Sequence, residues 1–233
     1  MKIIKPPLLK EGDTIGILAP SGAMDDDTNL KRAITFFENR GYKIKLSNNV
    51  YSKERYLAGS DKERLDAVHK MFTDKSVNAI ICLRGGYGAI RLINKIDYDL
   101  IRKNPKIFCG YSDITALNVM FLKRAGLVTY SGPMILSDFG QESLNEYTVS
   151  KFFETVCGGK FDYEGTFWGG NLATLVSLCG QDFIPDFEFT LFLEDLNEPP
   201  YKIDRMVTQL FNIEKIRKNT KAIAIGDFLG YEN

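Results

Sequence analysis

The sequence is poor in imidazole. Its 233 residues include one histidine, His69, and one tryptophan, Trp168. Any chemistry that needs an imidazole base has a single residue to draw on. The four cysteines, Cys82, Cys109, Cys157 and Cys179, form no C-x-x-C pair. Cys82 and Cys109 lie inside apolar runs, as small buried hydrophobes do. This usage points to a reducing, cytoplasmic setting and to no metal site. Excess charge is also missing: 30 Lys and Arg balance 30 Asp and Glu. No long basic run is present, so nucleic acid is a poor partner, because phosphate binding needs clustered cations. No apolar run reaches the ~18–20 residues of a membrane span. The opening MKIIKPPLLKEGD is broken early by Pro6 and Pro7 and does not read as a signal peptide. The first strand candidate is followed by APSGAMDDD, which lacks the G-x-G-x-x-G of a dinucleotide loop. Repeats and low-complexity stretches are absent too.

What is present alternates. TIGILAP (14–20) reads as a buried strand, and Leu30, Ala33, Ile34 and Phe37 mark one face of a helix. KIKLS (43–47) alternates as a strand. Ser60 and Asp61 cap a helix that turns Leu65, Val68 and Phe72 inward. NAIICL (78–83) and IFCG (107–110) are continuous apolar strands of the kind found inside parallel sheets. A short helix is expected from Ala89, another from Ile114 to Gly126, and a closing strand at LVTY (127–130). Such alternation predicts an α/β domain over 1–150, flavodoxin- or Rossmann-like, with helices on both faces of a parallel sheet. After residue 150 the pattern changes. FDYEGTFWGGNLATLVSLCG mixes turns with a short helical stretch. A strand at 187–195, a helix at 203–213 and a strand at 221–230 follow. Residues 165–233 read as a second, β-rich domain that ends before it can close.

In open parallel sheets, ligands bind beyond the carboxyl ends of the strands. Two strand ends carry unusual residues, LRGGYG (83–88) and CGYSD (109–113). GYSD puts Ser112 on a strand-to-helix turn, where the hydroxyl is exposed and the following N–H groups face developing negative charge. The Asp113 N–H is then a natural oxyanion donor, and Gly85 and Gly86 could bring a second one close. The alternative is that Ser112 or Asp113 only caps the helix. Cys109 is a rival nucleophile by type, but its strand position predicts burial. Arg84 suits a substrate carboxylate, or else a surface ion pair.

RGGYGAIRLI (84–93), GYSDITAL (110–117), SGPM (131–134), WGGNLATL (168–175) and LFLEDLNEPPYKIDRM (191–206) together resemble the LD-carboxypeptidase family. The family covers muramoyltetrapeptide carboxypeptidases and microcin self-immunity peptidases. The resemblance runs from about residue 12 to the end. It implies an N-terminal α/β domain and a β-rich C-terminal domain, usually in a homodimer. It implies cytoplasmic cleavage of the L,D bond that releases terminal D-alanine from a cell-wall tetrapeptide during peptidoglycan recycling. The catalytic group it implies is a Ser-Glu-His triad with no metal and no cofactor. The family serine falls on Ser112 and its glutamate on Glu194. The oxyanion donors fall on Asp113 and on Gly85 or Gly86. Arg84, Tyr87, Trp168 and Asn171 become candidates for binding a muropeptide or another small peptide. Glu194 could instead be a surface acid beside Asp195 and Glu198, and Trp168 a core aromatic.

The family histidine has no counterpart in the sequence. His69 precedes the strand 78–83 on a helix that should run antiparallel to it, which puts the imidazole at the end of the sheet away from Ser112. Its neighbours Val68 and Phe72 suit a half-buried structural role. A serine hydroxyl without a base is a weak nucleophile. The expectation is therefore the nucleophile-bearing portion of a peptidase, nearly inactive as it stands. A non-catalytic muropeptide-binding protein and a microcin-type self-immunity hydrolase are the other readings. A nucleotide-binding switch rests on fold analogy alone.

Overall fold

The β-branched runs of the first half form a four-stranded parallel sheet in a computed structural model that describes residues 2–159 and 165–230. The chain divides into two units, Met1–Lys160 and Phe161–Asn233. In the first, β1 (Thr14–Leu18), β2 (Lys43–Leu46), β3 (Ala79–Cys82) and β4 (Ile107–Cys109) lie in the order β2-β1-β3-β4. The register runs Leu46–Ile17–Ile81–Cys109. All four strands therefore finish on one edge of the sheet. The chain leaves β1 toward β2 on one side and toward β3 on the other, so the β1/β3 boundary is the topological switch point where a crevice opens.

Alternation decides which residues face which layer. Ile15, Ile17, Ala79, Ile81, Ile107 and Cys109 pack toward α1 (Thr28–Glu38), which contributes Leu30, Ala33, Phe36 and Phe37. Phe37 meets Phe139 at 4.8 Å between ring centroids, and Phe139 meets Phe152 at 5.0 Å. On the other face, Phe108 contacts Phe121 at 4.9 Å, and Phe121 contacts Phe72 of α2 (Asp61–Thr73) at 5.4 Å. Ser60 caps α2 as its position predicts, in a reciprocal capping box with Glu63. The buried face of α2 is Arg64, Ala67, Val68, Met71 and Phe72, so an arginine takes a core position where sequence places Leu65.

The 3₁₀ turns at Ala89–Arg91 and Ser112–Ile114, π-helical turns at Phe121–Ala125 and Ile135–Phe139, and the helices α3 (Tyr98–Lys103), α4 (Thr115–Met120) and α5 (Glu146–Val156) complete this unit. The stretch 127–130, expected as a strand, pairs only through isolated bridges from Leu127 to Ile4 and from Tyr130 to Cys109. Its hydrogen bonds alternate between those two neighbours, so it builds no ladder with either.

The second unit is a three-stranded parallel sheet, β5 (Phe167–Asn171), β6 (Phe189–Leu196) and β7 (Thr220–Leu229), in that order, with helices α6 (Leu172–Ser177), α7 (Pro200–Phe211) and α8 (Glu214–Asn219) between the strands. Periodicity reads the β5 segment as turns because of Gly169–Gly170. Both glycines have positive φ, and a Cβ on Gly169 would lie 2.1 Å from the Phe192 carbonyl oxygen. The pair lets β5 lie against β6 in a conformation that a side chain would block.

Candidate active site

The turn after β4 carries Ser112 at φ 59, one of three non-glycine residues with positive φ among those described. Left-handed backbone costs an L-residue energy and persists only where the surroundings enforce it. The enforcement is visible. Asn118 of α4 donates to the Gly110 carbonyl at 2.8 Å, which ties the strand end back to the helix. Gly85 packs directly against the serine: a Cβ there would lie 3.0 Å from both Cβ and Oγ of Ser112. The glycine therefore leaves room beside the hydroxyl, and Ser112 Oγ makes no hydrogen bond among the described residues.

Asp113, the next residue, is buried. Its buried carboxylate accepts from Ser21 Oγ at 2.5 Å and from the Ala89 N–H at 2.9 Å. Burial raises its pKa, and these two donors pull it back. The aspartate of S-D is thus a structural tie, joining the loop after β1 and the loop after β3 to the turn after β4. Those loops also join each other, since the Gly22 N–H donates to the Gly85 carbonyl at 3.2 Å. Arg64, fully buried, completes the frame. It donates to the carbonyls of Pro20 and Gly88, each at 2.8 Å, and to that of Gly59 at 3.3 Å, and it pairs with Asp61 at 2.6 Å. Neither Ser21 nor Arg64 is singled out by sequence reading. The partner of Ser21 and two of the carbonyls that Arg64 meets lie far away in the chain, and no local pattern announces them.

In the second unit, the register between β6 and β7 shifts between Leu193 and Asp195. Glu194 consequently faces two β7 residues, Gly226 and Asp227. The extra residue belongs to β7, while Glu194 keeps its register with Asn171 of β5. Gly226 makes the space, because a Cβ there would lie 3.2 Å from Glu194 Cβ. Glu194 is half-buried, and its Oε1 has no hydrogen-bond partner among the described residues. Burial, reinforced by the charge of Asp195, pushes its pKa up to about 7, while the Asn171 amide works the other way. Asp195 is fully engaged: it accepts from Asn171 Nδ2 and from the Ala173 N–H, both at 2.9 Å. Asn171 caps α6 through its own oxygen and is buried.

The other candidates divide. Arg84 and Tyr87 line an open cleft beside Gly86. Trp168 is 3% exposed and packs between Phe183 and Phe189, with its indole N–H unpartnered among the described residues. It is a core aromatic of its unit. Cys109 is buried in β4, and burial raises its thiol pKa steeply. His69 accepts the Asp97 N–H at 3.0 Å through Nε2, so the one imidazole is committed to the start of α3. No group of three or more His, Cys, Asp or Glu suited to a metal ion occurs among the described residues. No helix among them is long and apolar enough to cross a membrane.

A half-buried serine on a left-handed strand-to-helix turn, with glycine-bearing backbone against its hydroxyl, has the arrangement of a nucleophile elbow, as in serine hydrolases of the α/β kind. The family is settled by sequence. The N-terminal domain model of the LD-carboxypeptidases matches residues 15–132 and the C-terminal domain model matches residues 164–233, and the chain belongs to that family. It is 40% identical over 222 residues to a probable murein peptide carboxypeptidase of Bacillus subtilis, covering 88% of this chain and 69% of the relative. Among solved structures, an MccF-like protein from Bacillus anthracis aligns with a TM-score of 0.91 at 31% identity, covering 98% of this chain and 82% of that one. A muramoyltetrapeptide carboxypeptidase from Oxalobacter formigenes aligns with a TM-score of 0.84 at 36% identity, covering 92% and 76%.

Proposed function

We propose that this chain is a serine peptidase of the kind that hydrolyses the L,D bond releasing terminal D-alanine from muropeptide tetrapeptides, with Ser112 as its nucleophile. The observation that carries the reading is Ser112 at φ 59 with Gly85 against its Oγ. In this mechanism Ser112 Oγ attacks the scissile carbonyl. The backbone N–H of Asp113 and one from the Gly85–Gly86 pair receive the oxyanion. Glu194 is the acid that orients an imidazolium, and its unpartnered Oε1 is the free acceptor such a role needs. The murein peptide carboxypeptidases among its relatives support the substrate class. The cysteines carry no disulfide, which supports a cytoplasmic place in peptidoglycan recycling.

The 233 residues hold no imidazole free for this triad, because His69 is bound to the Asp97 N–H. Serine proteases that lose one triad member keep only ~10³–10⁴-fold catalysis over water. The chain by itself should therefore release D-alanine only slowly, and the same observation favours muropeptide binding without turnover as the second reading. D-alanine release from L,D- and D,D-linked tetrapeptides tests both. Slow release from the L,D isomer, little changed by Ser112→Ala because the residual rate comes from the oxyanion donors and binding, is the expected result. Cleavage confined to the D,D isomer would overturn the assignment, and fast Ser112-dependent turnover would overturn the inactivity.

A further inference from the structure

The crevice at the β1/β3 switch point opens into a cleft of about 570 Å³ that lies wholly within the first unit. Gly86 forms part of its wall, so it adjoins the loop set against Ser112. Its charge is lopsided. Lys53, Arg55 and Arg84 line it, and the one lining carboxylate, Asp25, is paired with Lys53 at 2.7 Å. Arg55 has no hydrogen bond or ion pair among the described residues. Arg84 spends one Nη1 contact on the Ala23 carbonyl, at 3.2 Å, and makes no ion pair among them. Two tyrosines flank these cations, Tyr56 and Tyr87, with ring centroids 5.9 Å apart, 59% and 47% exposed.

Arg55 carries a second signature. Glu54 and Leu57 exchange backbone hydrogen bonds of 2.9 and 3.0 Å across a two-residue turn, and Arg55 sits in that turn at φ 58. Glycine is the natural residue for such a position, and an arginine kept there at a cost in stability points to a use for its side chain. The turn is fixed to the active-site frame: the Ala23 N–H donates to the Tyr56 carbonyl at 2.9 Å and the Ala58 N–H to the Ser21 carbonyl at 3.0 Å.

We infer that this cleft is a carboxylate-binding subsite, in which Arg55 and Arg84 hold a free carboxylate of the peptide and Tyr56 and Tyr87 flank its carbon chain. The inference rests on the peptidase reading and names where that substrate is gripped. A planar guanidinium matches a carboxylate in two-point contact, and lysine does not reproduce it. Two carboxylates of a muropeptide could supply the group, the terminal one or one within the stem.

Calorimetric titration of this chain with L-Ala-γ-D-Glu-L-Lys-D-Ala tests the subsite without requiring turnover. Arg84→Lys should weaken binding about tenfold or more. Arg55→Gly should weaken it similarly while raising the melting temperature, because glycine relieves the turn. A merely structural arginine would not separate the two readouts. If the loss disappears when the peptide ends in a carboxamide, the terminal carboxylate is the one held. If it disappears only with D-isoglutamine at the second position, the stem carboxylate is held. Wild-type binding that neither variant changes would overturn the subsite and leave the peptidase reading standing. No binding of any of these peptides by the wild-type chain would overturn both.

Discussion

Two acids, Asp113 buried in one unit and Glu194 half-buried in the other, show how the same physics serves opposite ends. Asp113 and Glu194 both lose solvation, and both have their pKa raised by it. Asp113 recovers the loss internally, from Ser21 Oγ and the Ala89 N–H. Glu194 does not: it stays paired with Asn171 in the β5/β6 ladder beside the register shift with β7, Asp195 adds repulsion, and Oε1 is left without a donor among the described residues. A satisfied buried carboxylate is a structural element. One with an unpartnered oxygen beside a β-bulge is a group in want of a further partner, which is what a triad acid is in the absence of its imidazolium.

The largest expected effect breaks the satisfied member. Asp113→Ala removes the acceptor of two buried donors and should cost about 3 kcal/mol, read as a lower urea midpoint for the first unit. The opposite sign is expected at the other acid. The folded pKa of Glu194, about 7, lies above the ~4.3 of an unfolded glutamate, so the folded chain binds the extra proton between those values. Its contribution is therefore lost as pH rises through that window. Glu194→Gln should stabilise the protein by about 1–3 kcal/mol at pH 8 and by little at pH 4, seen in paired thermal melts. A loss at pH 8 would mean that the acid already has a partner. Ser21→Ala, which leaves Asp113 with the Ala89 N–H alone, should cost about 1 kcal/mol by the same denaturation. Smallest is His69→Ala. It frees only the Asp97 N–H near the surface, should cost under about 1 kcal/mol, and should leave tetrapeptide binding by calorimetry unchanged.

Much of this is legible in the chain. The four strands of the first unit, the Ser60 cap and the turn bearing Ser112 follow from periodicity and from short-range chemistry. Those signals are local, and parallel strands buried on both faces are hard to mistake. The failures share a cause. β5 is hidden because paired glycines signal a turn unless a neighbouring carbonyl is known to crowd them, and that neighbour is Phe192. Arg64 and Ser21 act across 44 and 92 positions of sequence, on Pro20 and Asp113. Leu65 looks like the inward residue of α2 because a buried arginine is counted as surface until three carbonyls converge on it. The cleft cations Lys53 and Arg55 come from the turn after β2, which carries no pattern beyond its polarity.

Arg64 also sets what must open together. Its guanidinium joins α2 to the backbone at Pro20, Gly59 and Gly88, and through the last of these to the segment that holds Asp113. Fraying α2 past its first turn would release all three segments at once. Amide exchange in the loops around Ser112 is therefore expected to follow the opening of α2 as a single cooperative event, which makes a helix that never touches the serine the governor of how long its surroundings persist.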